Sequence, residues 1–463
     1  MIRGVGAAQA EPGPPRPTAA TAAVGFLLMV SAVTAVSAQE TPTRSYEAEA
    51  SSLATETVTL GQALRRAANV DPDYVAALGR IDNAGWGRRA AWMAFIIPSI
   101  NASASGQRFS SQFFNIGTAQ LTSQLVQGSV TATLNLFSGD KFWELDRAQS
   151  EQVAADANEL QQLYQTALDT EADYYQVLAG RELVAVQEER VRRASEQLGI
   201  ARARVVSGAA VQTDSLQLLL ELTRARVELL RQTAELRVAR FQLGRRIGAA
   251  GPADAAAVDT SAAPMLPISE ADAIVEAVRT SPEIRVADAD AETAEAALWG
   301  ERADYLPSID LFAQASAFDE AFFPSQTTRG IIGLQLTWPI WNGAQREIQI
   351  SRARVDRDVA SARRNDAERE LRRDVVQAYQ AYNTARATAD LAADAVIVAR
   401  ENLRVQESRY RAGATTILDL IVAQVDLTDA ESGLVQARYS TWLGLAGLEA
   451  ILGRRLFPDR IEP

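Results

Sequence analysis

The stretch Val126–Leu145 reads VQGSVTATLNLFSGDKFWEL and sets two kinds of structure side by side. From Val126 to Leu136, apolar residues alternate with Gln, Ser, Thr and Asn. This period of two predicts a β-strand with one apolar and one polar face. After Gly139 the chain continues to about Val206 without a proline, which predicts a helix on the order of 100 Å long. The fold therefore combines a two-faced sheet with a helix longer than an ordinary domain.

The same order of landmarks occurs twice, with a period of about 205–210 residues, which indicates an internal duplication. The repeats are predicted at 57–248 and 268–455, separated by a linker at 249–267 that is rich in Ala, Gly and Pro. The matching landmarks are Ile97-Pro98-Ser99-Ile100 with Leu306-Pro307-Ser308-Ile309, Phe137-Ser138-Gly139 with Trp341-Asn342-Gly343, Val206-Ser207-Gly208 with Arg411-Ala412-Gly413, and Asp214 with Asp419.

Each repeat is predicted to contain a helix, two strands, a very long helix and a shorter returning helix. Pro72 and Pro282 fit the first turns of the helices that precede the strands. The predicted strands are 98–108 and 125–137 in the first repeat, and 307–317 and 330–341 in the second. The predicted long and returning helices are 138–206 and 211–247, then 342–411 and 415–452.

The four strands are long enough to cross a bilayer at a tilt. Trp338 and Trp341 lie near a strand end, where an aromatic girdle is expected. The polar segments Gln107–Gln124 and Phe318–Arg329, with the aromatic pairs Phe113-Phe114 and Phe322-Phe323, are interpreted as outward-facing loops. A soluble sandwich with one buried face is the alternative interpretation.

Four strands cannot close a barrel, and open strand edges in lipid would leave backbone groups without hydrogen bonds. Several chains must therefore contribute strands if the sheet lies in a membrane. Two chains would give eight strands, whose interior is filled by side chains. Three chains would give twelve strands with room for water, so a channel favours a trimer.

The predicted helix lengths fit one another. The helix before the strands and the returning helix together have nearly the length of the long helix, so the two can lie end to end beside it. Seven residues of the long helix fall seven positions apart and all but one are apolar, which favours lateral coiled-coil packing. They are Leu163, Thr170, Val177, Val184, Val191, Leu198 and Val205. Six such strips from three chains could form a tube. A solid coiled coil without a lumen, serving as a periplasmic spacer or adaptor, is the alternative.

Composition narrows the function. The 463 residues carry a formal net charge of −12, which disfavours binding to nucleic acid. The chain has no cysteine and no histidine, which excludes disulfides, thiolate zinc sites and the commonest catalytic base. No residue pattern points to an enzyme, a metal site or a cofactor.

The N-terminal region has the features of an export signal. The apolar stretch Ala23–Val36 follows Arg3 and Arg16 and precedes a small-residue cleavage site at Val36-Ser37-Ala38. A signal peptide is therefore predicted at 1–38, a flexible segment at 39–56 and a C-terminal tail at 456–463.

With these features, residues 57–455 resemble the TolC-type outer membrane efflux protein family, the outer membrane factors. The residues that carry the resemblance are the duplicated landmarks and the segment RYRAGATTILDL, Arg409–Leu420, which begins in the last turn of the second long helix. The resemblance implies an α+β membrane protein of a Gram-negative bacterium. Its trimer would join a twelve-stranded outer-membrane β-barrel to a periplasmic barrel of coiled-coil helices.

The resemblance also implies the function and the partners. Such a protein is a passive outer-membrane channel for small molecules or secreted polypeptide, and it is not an enzyme. Its helix tips dock to a periplasmic adaptor, or membrane fusion protein, and to an inner-membrane pump of RND or ABC type. Small-molecule efflux and a type I protein secretion duct are both compatible with the sequence.

The tip residues receive roles from the resemblance, position by position. Gly208 and Gly413 form the tip turns. Asp214 matches an acid that links neighbouring tip helices, Tyr410 matches a polar aromatic residue able to accept that link, and Asp419 matches an acid of the luminal entrance ring.

The sequence departs from the family pattern at two tip positions. Thr415 stands where a basic residue is frequent, and Val422 stands where a second acid is found. A weaker clasp and less cation selectivity are therefore expected. Helix N-capping is the alternative role for Asp214 and Asp419.

Overall fold

The computed structural model describes residues 55–115, 120–260, 263–319 and 327–457. The predicted signal peptide, most of the segment 39–56, the Phe322-Phe323 pair and most of the C-terminal tail lie outside these residues.

Eight helices and six strands lie in the described part of the chain. In the first repeat they are β1 (Glu56–Val58), α1 (Leu60–Val70), α2 (Pro72–Met93), β2 (Ser99–Asn115), β3 (Gln120–Phe137), α3 (Asp140–Val206) and α4 (Gln212–Arg246). The linker contains β4 (Ala253–Ala255). In the second repeat they are α5 (Glu270–Thr280), α6 (Pro282–Ala303), β5 (Ser308–Asp319), β6 (Thr327–Thr337), α7 (Gln345–Arg411) and α8 (Ile417–Leu452).

The helices of the two repeats match in length. The long helices α3 and α7 have 67 residues each, and the helices before the strands, α2 and α6, have 22 residues each. Both short helices begin at proline, whose fixed φ suits the first helical position. An 11-residue helix, α1 or α5, precedes each of them and was missed by the sequence pattern.

The helices pack side by side in a strip. Near the hairpin tips the order of neighbours is α4, α3, α8 and α7, and near the sheet it is α2, α3, α6 and α7. One edge of the strip is therefore formed by α2 and α4, and the other by α7. None of the described helices carries an apolar stretch long enough to span a membrane.

The main sheet has four strands in the order β2-β3-β5-β6, and all three pairings are antiparallel. Its outer strands continue the two edges of the helical strip, because β2 follows α2 and β6 precedes α7. Rows of directly paired residues are apolar on one face; one such row is Ile100, Ala132, Ala313 and Ile332. The next row, Asn101, Thr131, Gln314 and Ile331, is polar for three of its members, as a sheet with one wet face requires.

The structure corrects two sequence predictions. The segment Gln107–Gln124 is not mainly a loop, because β2 continues to Asn115 and β3 begins at Gln120. Phe113 and Phe114 are paired with Thr122 and Leu121 after a register shift, so the aromatic pair belongs to the hairpin. At the other end, β6 stops at Thr337, and Trp338 and Trp341 lie beyond it with exposed side chains.

The segment 249–267, interpreted as a linker, contains β4, which pairs in parallel with β1. Ala253 and Ala255 are fully buried there and belong to the larger hydrophobic cluster, which joins both repeats around the middle of the long helices. A second cluster lies towards the tips and includes Leu198, Leu218, Leu403 and Leu420. The strip therefore has two separate cores along its length.

Candidate functional site at the hairpin tips

The two hairpin tips turn at glycine. Gly208 and Gly413 have φ values of 74° and 73°, in the left-handed region that residues with a side chain rarely adopt. Each ends a long helix and lets the chain reverse into α4 or α8. The structure thus places both predicted tip turns at the same end of the strip.

The second tip is closed by a capping box. Thr416 is the N-cap of α8, and its Oγ1 accepts a hydrogen bond from the Asp419 backbone N–H at 3.2 Å. The Asp419 carboxylate accepts hydrogen bonds in return from the Thr416 N–H, at 3.1 Å, and from the Thr416 hydroxyl, at 2.7 Å. These contacts satisfy backbone donors that a helix start leaves free.

Thr415 adds to this cap. Its Oγ1 lies 2.8 Å from Asp419 Oδ2 and 3.3 Å from Gln406 Oε1. Hydrogen bonds from Thr416 and then from Thr415 hold the pKa of Asp419 below its ordinary value. Asp419 is exposed, as is Val422 at 57%. The carboxylate is therefore charged, exposed and fixed in position by its own helix.

The first tip lacks this arrangement. Val211 is the N-cap of α4 and offers no side-chain hydrogen bond. Asp214 occupies the same position in its helix as Asp419 does in α8, three residues after the cap, and it is half-buried. Its carboxylate lies close enough to Tyr410, at the end of the second long helix, to interact with the Tyr410 hydroxyl.

Tyr410 is buried in the tip cluster, with 6% of its side chain exposed. Burial raises the pKa of Tyr410, and the negative charge of Asp214 raises it further. The structure therefore brings the two predicted residues, Asp214 and Tyr410, together within one chain.

Arg204 connects the tips and was not identified from the sequence. It donates a hydrogen bond to the Tyr410 carbonyl and another, at 3.3 Å, to the Ala209 carbonyl. Its guanidinium also lies over the Tyr410 ring, 4.9 Å from the centroid. A cation in this position holds α3 of the first hairpin against the end of α7 in the second.

Three further polar contacts continue this junction away from the tips. Gln197 donates a hydrogen bond of 2.9 Å to the Glu407 carboxylate. Arg193 of α3 reaches Glu431 of α8 at 3.3 Å, and Arg400 of α7 reaches the same carboxylate at the same distance. The two hairpins are therefore joined by a ladder of polar side chains above a small apolar core.

Comparison with known proteins gives a consistent result. The sequence profile of the outer membrane efflux protein family matches residues 63–249 and 273–454. The chain is 26% identical over 346 residues to the outer membrane efflux protein BepC of Brucella suis, covering 73% of this chain and 75% of the relative. It is 24% identical over 372 residues to the toluene efflux pump outer membrane protein TtgC of Pseudomonas putida, covering 78% and 76%.

The solved structure of the outer membrane protein VceC from Vibrio cholerae superposes with a TM-score of 0.71 at 18% identity. The match covers 86% of this chain and 96% of that one. At this level of identity the likeness concerns the fold, which combines helices and sheet in the same way.

Proposed function

The chain belongs to the outer membrane efflux protein family, and we propose that three copies of it assemble into one passive export duct. As a TolC-like transport channel its location is the outer membrane, with a large helical portion in the periplasm. The proposed trimer joins a twelve-stranded barrel to a tube of helices. The duct itself performs no chemistry.

The observation that most strongly supports a trimer is that the four-stranded sheet has two open edges. The described sheet ends at β2 on one side and β6 on the other, each with one unpaired flank. In lipid those backbone groups need partners, and the β6 edge of one copy can pair with the β2 edge of the next. The two edges differ, so the contact is head to tail and generates a closed ring. Three copies of four strands give a barrel wide enough for a wet lumen.

The helical edges support the same closure. The α4 edge exposes large apolar side chains on one stripe, and the α7 edge exposes another near its C-terminal end. Val398 is 69% exposed and Leu230 is 71% exposed, although both lie on long helices that pack well elsewhere. The stripes consist of Leu216, Leu220, Val227, Leu230 and Val238 on α4, and Leu391, Val398 and Val405 on α7. Heptad spacing on both helices suits an antiparallel seam between copies.

For the cargo and the partners we rely on the relatives. Two of them are named for the efflux of toluene and of antibiotics, which favours small molecules over secreted polypeptide. We propose that a periplasmic adaptor and an inner-membrane pump of RND or ABC type deliver these molecules to the hairpin tips. The pump would supply the energy of transport.

We place the gate at the hairpin tips. Arg204, Tyr410 and Asp214 would hold the two hairpins of a chain together at the entrance in its resting state. Asp419 would add one negative charge per chain to the entrance, while Val422 and Thr415 contribute none. Separation of the hairpins at this ladder would widen the entrance.

The test of the assembly is a single charged substitution in the seam. Leu230→Glu should abolish the heat-modifiable trimer that detergent extracts from membranes, because each seam would bury an unpaired carboxylate. Thr233→Glu, on the same helix outside the stripe, is the matched control and should leave the trimer intact. A water-soluble monomer in the unmodified protein, or an unaffected trimer in Leu230→Glu, would contradict the proposal.

A further inference from the structure

In the first repeat, a guanidinium fills the junction where the returning helix α4 meets the start of the short helix α2. Arg246, at the end of α4, donates from Nε to Asp173 at 3.0 Å. Its Nη1 lies 3.4 Å from Asp71 and 3.5 Å from Asp169. Gln242 completes the cluster with a 3.1 Å hydrogen bond to the other oxygen of Asp173. Because Asp71 and Asp173 are buried, the arginine compensates carboxylates that water does not reach.

The second repeat replaces most of this cluster with smaller side chains. Equivalent positions follow from Pro72 and Pro282 for the short helices, and from Gly208 and Gly413 for the long and returning helices. One acid is kept, and each of the other four positions loses its charged or amide group. The correspondences are Asp169 with Asp374, Asp71 with Ser281, Asp173 with Ala378, Gln242 with Gly447, and Arg246 with Ile451.

A groove occupies the place of the missing side chains. It has a volume of about 360 Å³ and lies between α3, α6, α7 and α8. All five of the second-repeat residues named above line it. A Cβ atom added at Gly447 would meet nothing within 4 Å, so the space is open at that point. Leu168, Leu371 and Ala450 provide apolar lining. The volume lies within the range of small-molecule sites.

The groove keeps negative charge at its rim. Glu283 lines it at the start of α6. No arginine or lysine nitrogen of the described residues lies within 4.0 Å of the Glu283 carboxylate. Burial raises the pKa of Glu283, and the neighbouring charges of Asp374 and Glu370 raise it further, against the effect of Arg373. Asp374 pairs at 2.7 Å with Arg373, whose side chain is 63% exposed. Such an exposed pair neutralises little of the field inside the groove.

We propose that this groove binds a small organic cation, with a guanidinium, amidinium or ammonium group between Glu283 and Asp374 and a short apolar body on Leu371 and Leu168. The first repeat shows which chemistry the position accommodates, since a guanidinium fills it there. The apolar lining selects against a hydrated metal ion, whose water shell it cannot replace. The site belongs to the wall of the protein and does not depend on the proposed transport.

The test measures the binding of benzamidinium to the purified, detergent-solubilised protein by calorimetry. Its neutral isostere, benzamide, has nearly the same shape without the charge. Benzamidinium should bind measurably more tightly than benzamide. Glu283→Gln should weaken benzamidinium binding about tenfold, as expected for the loss of one charge-assisted contact. Asp290→Asn, an exposed acid further along the same helix, is the matched control and should leave binding unchanged.

A second variant restores two of the four lost groups of the first repeat, the amide of Gln242 and the guanidinium of Arg246, in the groove. Gly447→Gln combined with Ile451→Arg supplies the protein's own guanidinium and should abolish benzamidinium binding while the circular dichroism spectrum of the protein stays unchanged. Equal binding of benzamide and benzamidinium would overturn the proposal. So would full affinity in Glu283→Gln, or in the refilled variant. These readouts use the isolated protein, so a failure of the export function leaves them interpretable.

Discussion

The corresponding helices of the two repeats agree in length to within one residue, but the residues at their ends are used differently. Where the returning helix meets the short helix, the first repeat is closed by Arg246, whereas the second has Ile451 and an open groove. At the tips the contrast is reversed. The second tip caps its own helix with Thr416 and Asp419, whereas in the first Asp214 interacts with Tyr410 of the other hairpin.

This comparison shows which features of the two repeats stayed alike after the duplication and which became free to diverge. Helix lengths and glycine turns are common to both copies, because a change in either would misalign the strip. Polar side chains at the helix ends affect only their immediate surroundings, and they have therefore diverged independently in the two repeats. An acid at the same position after the turn can therefore be a cap in one repeat and an inter-hairpin contact in the other.

The largest difference between the repeats is expected at the closed junction. Arg246→Met removes the cation from two buried aspartates and should destabilise the fold by about 3–5 kcal/mol, as when a buried ion pair loses one partner. Ile451→Met, its counterpart in the second repeat, should cost less than about 1.5 kcal/mol because it conserves apolar volume. Thermal unfolding of both variants measures the difference. Equal losses would mean that the junctions are energetically alike.

The next effect concerns the link between the tips. Arg204→Ala removes a charge-assisted hydrogen bond and a cation–π contact, together about 2–3 kcal/mol. The resting conductance in planar bilayers should rise, because the hairpins lose their main polar connection. Arg204→Lys, which keeps the charge without the planar group, should give an intermediate value. A conductance equal to that of the unmodified protein would remove Arg204 from the gate.

A smaller effect is expected when the N-cap residue is removed from the second tip or introduced into the first. Thr416→Ala should destabilise the second tip by about 1 kcal/mol, the usual cost of losing an N-cap hydroxyl. Val211→Thr would create the same Thr-x-x-Asp pattern in the first tip and draw Asp214 into a capping box. We expect the resting conductance to rise in Val211→Thr although the helix becomes more stable, because Asp214 leaves Tyr410. Unchanged conductance would show that Asp214 plays no part in holding the tips together.

The smallest effect is a dependence on pH. The pKa of Asp419 is lowered in the folded protein, so its contribution to the cap is fully present above the unfolded value of 3.8 and is lost as the pH falls through the folded value. Tip stability should therefore decline below about pH 4 in the unmodified protein and less so in Asp419→Asn. Hydrogen exchange of the first turn of α8 measures this. Equal pH dependence of the two proteins would contradict the capping role.

The elements with a strong period were predictable from the sequence. The alternation around Val130 predicted β3, and the long proline-free segments predicted α3 and α7 to within a few residues. The strand hairpin is longer than predicted because Phe113 and Phe114 continue the ladder after a register shift, which no local pattern indicates. The pairing of β1 with β4 joins two three-residue segments far apart in the sequence, and so short a strand has no readable period.

Some contacts of the tip residues were likewise predictable from the sequence, and others were not. The cap at the second tip was readable, since Thr416 and Asp419 have the spacing of a capping box and Val211 cannot provide one. Arg204 could not be found, because its contacts depend on which hairpins lie side by side. The roles of Asp214, Tyr410 and Asp419 in a gate stay predictions.

The equal lengths of α3 and α7 constrain how such a protein can evolve. A single-residue insertion in α3 alone would advance its end by about 1.5 Å and rotate every later side chain by about 100°. The altered tip would then miss its counterpart in α7, which is also 67 residues long. Insertions and deletions should therefore survive in multiples of seven, and in both halves of the gene together. Among homologous proteins, length differences in the long helices should accordingly be seven residues or a multiple of seven, and should occur in both repeats. Insertions and deletions of a single residue should be confined to the turns.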